Sequence, residues 1–224
     1  LKIGYQAAIM MLRSGAHVIV VTRFPHDAAK RYATEEDFEE WGHRLEIHGV
    51  DLRHTPSVEA FCQRVLQEHD HLDFIINNAC QTVRRPPGFY GHLVEGEQVP
   101  RMALPDREQQ VVAADPPMGI VQQGGVDSAQ MTQIPLVEGD EDRGMHLFPK
   151  GALDADLQQV DLREVNSWRL MLDEVPAIEL IEVQLVNAVA PFVINGRLRP
   201  LLRNRPGRDA HIVNVSAMEG QFYR

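Results

Sequence analysis

Two cysteines in 224 residues are too few for a disulfide framework. Cys62 and Cys80 fall on different expected elements and share no metal-ligand spacing, so the expected setting is reducing and cytoplasmic. Positive charge is also scarce: 22 Lys and Arg face 32 Asp and Glu, a net charge of -10, which argues against nucleic acid or an anionic membrane as the main partner. No uninterrupted apolar run approaches the roughly 18–20 residues that span a bilayer, and no signal-peptide pattern opens the chain. What remains, 44% hydrophobic and 24% charged, is the balance of a globular α/β core.

The stretch Phe74-Ile75-Ile76-Asn77-Asn78-Ala79-Cys80 is the most informative. A short apolar run ending in two amides and a small residue reads as a buried parallel strand that surfaces at the carboxyl edge of an open sheet, where such sheets bind ligands. Upstream, residues 4–14 have helical spacing at Tyr5, Ala8, Met11 and Leu12, with Gly15 as the stop. Residues 17–23 are dense in β-branched side chains and predict a strand buried on both faces. Asp27 is expected to cap the next helix, and Thr34-Glu35-Glu36-Asp37 reads as a capping box ahead of Phe38 and Trp41. A strand over 45–51 follows. Thr55-Pro56 then opens a helix carrying Val58, Phe61, Val65 and Leu66 on one face. This alternation with short connections predicts a doubly wound parallel sheet.

From about 84 to 160 periodicity is lost among Pro86-Pro87, Pro116-Pro117, Gly124-Gly125 and Gly139-Asp140-Glu141-Asp142. The segment is expected to be an insertion, mostly loop or disordered, either a lid over the ligand edge or a surface excursion. Val165, Trp168 and Leu172 suggest a short helix beyond it. A long helix is expected over 176–202, with Ile178, Ile181, Leu185, Val189 and Phe192 on a stripe and a kink at Pro191. His211-Ile212-Val213-Asn214-Val215-Ser216 predicts a fourth buried strand. His69-Asp70-His71 offers two alternate imidazoles without a third ligand, so no metal is assigned to it.

Taken together these pieces resemble the short-chain dehydrogenase/reductase superfamily over about 1–93 and 161–224. Ile3-Gly4 resembles the end of that family's glycine-rich Thr-Gly-x-x-x-Gly-x-Gly turn. Asp51, followed by Leu52, falls on its adenine-contacting Asp. Asn77-Asn78-Ala79 matches its Asn-Asn-Ala-Gly motif, with Cys80 in place of the Gly. Asn187 matches its mid-helix Asn of the proton relay, and Ser216 its substrate-positioning Ser. The resemblance implies a Rossmann-type α/β domain, incomplete here, carrying the insertion. It also implies an NAD(P)-dependent oxidoreductase acting on a carbonyl or alcohol, with room for a homo-oligomer. The family's catalytic Tyr, lowered in pKa by a Lys four residues on, is expected about a dozen residues past Ser216. Tyr223 is too close to Ser216 and lacks that Lys, so it is not assigned.

Elementary chemistry sharpens the cofactor expectation. A helix opening at Gly4 lets backbone N–H groups approach a pyrophosphate. NAD-preferring sites end the strand over 17–21 in a carboxylate; here Thr22-Arg23 leaves nothing to repel a 2′-phosphate and supplies a guanidinium, which favours NADP over NAD. The same pair argues against a Rossmann-core methyltransferase. Asp51 could instead cap its own turn, and the Asn77 and Asn78 amides could bridge strands. Pro191 has no N–H to give the Asn187 carbonyl, which would leave that oxygen for a water. A chain starting inside a helix pattern at Leu1 is expected to be an internal piece of a longer protein whose missing first strand lies between the strands over 17–21 and 72–77. Such a piece is expected neither to bind NADPH tightly nor to turn over. The alternative is a non-catalytic binding or regulatory protein on the same fold.

Overall fold

Alternating side chains of strand β1 (Val18–Thr22) point to two different cores. Val18 and Val20 pack with Ile9, Leu12, Tyr32 and Trp41, while Ile19 and Val21 pack with Val58, Phe61 and Val65. A period-2 strand with helices on both faces is the doubly wound arrangement that its uninterrupted β-branched run predicts. The computed structural model describes residues 2–114, 127–142, 144, 146–154, 159–165, 167, 169–204 and 207–216. Trp168, Arg205, Tyr223, Pro116-Pro117 and Gly124-Gly125 lie outside them.

Helix α1 (Lys2–Arg13) ends at Gly15, whose φ of 93° only glycine adopts without strain. After β1 come α2 (Pro25–Ala33), the single turn α3 (Phe38–Trp41), β2 (Leu45–Gly49), α4 (Thr55–Glu68) and β3 (Phe74–Asn77). A 27-residue helix, labelled α7 (Ala177–Arg203), leads to β4 (His211–Asn214). Between them the insertion contributes α5 (Pro87–Glu97) and α6 (Asp106–Val111). Neither was expected: Gly91 and Gly96 blur the apolar pattern of α5, and packing against α2 sustains it instead.

β1 pairs with β2, and β3 with β4, both in parallel. The two ladders do not join, and a cleft of ≈ 880 Å³ lies between β1 and β3, lined by every residue of both. Among the described residues no strand pairs with the facing edges of β1 and β3. Strands expected to be fully buried are therefore exposed in part: Phe74 is 48% and Ile212 44% accessible. The outer edge of β2 is covered by the insertion, through a parallel bridge of Ile47 to Val112.

Several local expectations are corrected. Asp27 does not cap α2 but pairs with Arg31 one turn on. Glu35 and Asp37 make no capping box, because both are drawn to Arg13. The cap of α4 is His54, whose Nδ1 accepts from the Ser57 N–H. Leu66 stands at the edge of the α4 face, 36% exposed, while Cys62 is fully buried. Leu172 is 93% exposed, and no helix forms around it among the described residues. α7 does not break at Pro191. A π-helical turn, Leu185–Val189, precedes it, and the Ala190 N–H reaches back to the Leu185 carbonyl, a wider turn with room for the pyrrolidine ring. α7 also holds an apolar window long enough by composition to cross a membrane. It nevertheless buries Glu179 and Glu182 and packs Ala190, Leu198 and Leu201 against α4.

The contrast between the ladders can be measured. Ile47→Ala, at a fully buried position, should cost about 2–5 kcal/mol. Ile212→Ala, on the open ladder, should cost under about 1 kcal/mol. Urea denaturation midpoints of the two variants would check the difference.

Candidate functional site

The carboxyl ends of β1, β2 and β3 and the start of α1 converge on one edge. Asn77 is a strand bridge: its Nδ2 donates to Asn214 Oδ1 at 2.8 Å, across the β3–β4 pair, and to Asn195 Oδ1 of α7 at 3.2 Å. Asn78 turns the chain with its N–H on the Ile76 carbonyl, and its side chain packs against Gly4. A Cβ at Gly4 would lie 2.6 Å from Asn78 Nδ2, so only glycine lets the first turn of α1 meet the amide. That turn carries no acidic side chain. Ala79 and Cys80 are exposed, and Ile3 is 64% exposed beside them.

Asn187 sits in the π-helical turn and uses its side chain as a clamp. Its Oδ1 accepts from the Gln81 N–H at 2.8 Å and its Nδ2 donates to the Gln81 carbonyl at 2.9 Å. The amide thus fixes the backbone just past Asn77-Asn78-Ala79-Cys80. π turns concentrate at functional sites, and here the widened turn coincides with the helix-interior Asn. Ser216 is exposed just beyond β4.

Asp51 is 1% exposed, and both its oxygens are held by Arg53. The Arg53 N–H also donates to Asp51 Oδ1 at 2.9 Å, closing the local turn. Arg53 Nη1 reaches Glu182 Oε1 at 2.6 Å, and Glu182 Oε2 lies 3.2 Å from Arg84 Nε. Arg84 in turn forks onto Asp140, which also accepts from the Leu136 and Val137 N–H groups. Signs alternate along Asp51, Arg53, Glu182, Arg84 and Asp140, a buried chain joining the end of β2, α7 and the insertion. Burial works against the Arg53 charge, yet its carboxylate neighbours more than compensate and its pKa rises.

At the other side, Arg23 lies over the Tyr90 ring at 4.5 Å and donates to its hydroxyl at 3.0 Å. Thr22 Oγ1 accepts from the Phe24 N–H, and the Arg23 carbonyl accepts from Ser128 Oγ. The open N-terminus of α2 is capped from the insertion: Glu97 accepts from the His26 and Asp27 N–H groups, each at 3.0 Å. Burial pushes the Glu97 carboxyl above its ordinary range despite those donors. Leu52 is half-buried against the core below α4 and α7.

The structure thus gathers Gly4, Asn77, Asn78 and Ala79 with Asn187 around one turn, and places Arg23 and Asp51 under contacts of their own. Sequence reading missed Arg53, Glu182, Arg84, Tyr90 and Glu97. Glu179 and Glu182 in the apolar first turns of α7 were the one available signal, since carboxylates on a buried face need partners. Glu182→Ala would leave Arg53 and Arg84 buried and short of a carboxylate, at a cost of about 3–5 kcal/mol, and Glu182→Gln should cost less. Chemical denaturation of both variants would test this.

Residues 2–90 match the family model described as short chain dehydrogenase. Two curated proteins are similar. An uncharacterized protein of Acanthamoeba polyphaga mimivirus is 27% identical over 99% of this chain and 43% of its own length. A fatty acyl-CoA reductase of Acinetobacter baylyi is 31% identical over 37% of this chain and 27% of its own length. The chain therefore spans less than half the length of either relative. No solved structure matches. With Asn77-Asn78-Ala79 at the carboxyl end of β3, Gly4 packed on it and parallel strands between helices, residues 2–90 are similar to the short-chain dehydrogenase/reductase superfamily in motif and in arrangement.

Proposed function

We propose that this chain serves an NADP(H)-dependent oxidoreductase that moves hydride between a nicotinamide and a carbonyl or alcohol carbon. The observation that carries the reading is the packing of Gly4 on Asn78, a close approach that a Cβ would fill. It leaves the first turn of α1, free of acidic side chains, facing the ligand edge as an acceptor of phosphate. When bound, the nicotinamide would give or take the hydride. Asn187, by clamping Gln81, would hold the segment beside it. Ser216 would hydrogen-bond the substrate oxygen. Thr22 and Arg23 end β1 without a carboxylate, which supports NADP over NAD. The cytoplasm is the proposed setting, with a small-molecule substrate and no nucleic acid or membrane partner. The resemblance to a fatty acyl-CoA reductase spans 83 residues, which supports the class of reaction and carries no substrate.

The adenine end fits less well. Asp51 is sealed by Arg53, so an adenine amino group would have to displace a bidentate ion pair. That seal favours the second reading, a non-catalytic member that keeps the fold as a binding or regulatory module.

Separate ligands divide the two. 2′,5′-ADP should bind more tightly than 5′-AMP, and Arg23→Ala should erase the difference; equal binding of both nucleotides would sink the NADP reading. Because the facing edges of β1 and β3 are open beside Gly4, the 224-residue chain should give no clear quenching of NADPH fluorescence on titration. Strong quenching would show that the cleft does not impair the site.

A further inference from the structure

At the amino-terminal edge of the sheet, opposite the cofactor edge, three imidazoles converge on one carboxylate. His17 Nε2 lies 2.6 Å from Glu46 Oε1, and His69 Nε2 lies 3.3 Å from Glu46 Oε2. His48 Nε2 stands 3.5 Å from the same Oε2. Glu68, the last residue of α4, completes the group, its carboxylate oxygen within 4.8 Å of the ligand atoms of both Glu46 and His69. The His17 and His69 rings meet edge-on with centroids 5.5 Å apart.

This is more than a hydrogen-bonded cluster needs. Two carboxylates brought this close repel one another, and a cation between them turns the repulsion into binding. Metal–ligand bonds of about 2.0–2.2 Å in a tetrahedron set neighbouring ligand atoms about 3.3–3.6 Å apart. The His69–Glu46 separation already has that value, the Glu68 oxygen lies within 4.8 Å of both, and His17 would join by turning its ring from Glu46 Oε1 toward the ion. Two imidazoles beside carboxylates suit a zinc-class ion, whereas magnesium and calcium prefer oxygen throughout.

We infer that His17, Glu46, Glu68 and His69 form a binding site for a zinc-class divalent cation that ties the amino ends of β1 and β2 to the end of α4. Glu46 is seated on a paired strand, facing a neighbouring ladder position of β1, and His17 directly precedes that strand. His48, 5% exposed, holds Glu46 from behind as a positioning residue. His17, Glu68 and His69 also line the cleft, so the ion would fasten one end of the open β1 edge. The site was unreadable in sequence because its ligands come from three separate elements. His69 was visible beside His71, whose Nε2 turns instead toward Asp73 at 4.0 Å.

Calorimetric titration of the chain with Zn²⁺ near neutral pH tests the inference. One equivalent should bind and raise Tm, with no competition from excess Mg²⁺. His17→Gln with His69→Gln should abolish binding, and His48→Gln should weaken it about ten- to a hundredfold. His43→Gln, an exposed side chain on a 3₁₀ turn elsewhere, should change nothing. Circular dichroism would confirm that each variant is folded. Absence of stoichiometric binding in the unaltered chain, or binding that survives in the folded double variant, would overturn the site. Neither result bears on nucleotide binding at the opposite edge.

Discussion

The buried run of alternating charges from Asp51 through Arg53, Glu182 and Arg84 to Asp140 holds the ligand edge together. Each charge in it would be costly alone, because a guanidinium or carboxylate taken from water must recover its hydration from neighbours. The chain therefore acts as a unit, and it joins three regions that sequence keeps far apart. It fixes where α7 lies relative to β2, and through Arg84 it anchors the turn around Asp140. Asn187, five residues beyond Glu182, then falls where its amide can clamp Gln81.

The insertion packs on the same edge of the sheet through that run and through contacts of its own. α5 stacks Tyr90 on Arg23 and sends Glu97 to the N-terminus of α2, while the region around Asp140 fastens to Arg84. Both positions expected to contact the adenosine half of a dinucleotide are thus engaged by the protein itself. A ligand there competes with a cation–π contact at Arg23 and with an ion pair at Asp51, two interactions of quite different strength. At Gly4, expected at the phosphate end, the close neighbour is the neutral Asn78 amide.

The cleft between β1 and β3 shapes the rest. Backbone pairing stops at both strands, so β3 and β4 remain exposed although their residues are apolar enough for a core. Apolar composition reports what a strand could bury; burial itself needs a neighbour.

The strands, most of the helices and the turn after β3 were legible because each is local: a β-branched run, a 3.6-residue stripe, an Asn-Asn-Ala after an apolar strand. Caps were read poorly, since Asp27, Glu35 and Asp37 had competing partners in Arg31 and Arg13 that local spacing does not rank. α5 escaped because its stability comes from packing and not from its own pattern. Sequence by itself determined the α/β alternation, the family motif and the absence of a carboxylate after β1. Only the tertiary structure decided that Asp51 is sealed, that Arg23 is stacked, and that His17, Glu46, Glu68 and His69 meet. Those outcomes depend on electrostatic partners brought together from distant segments, and propensity and periodicity carry no information about distance in space.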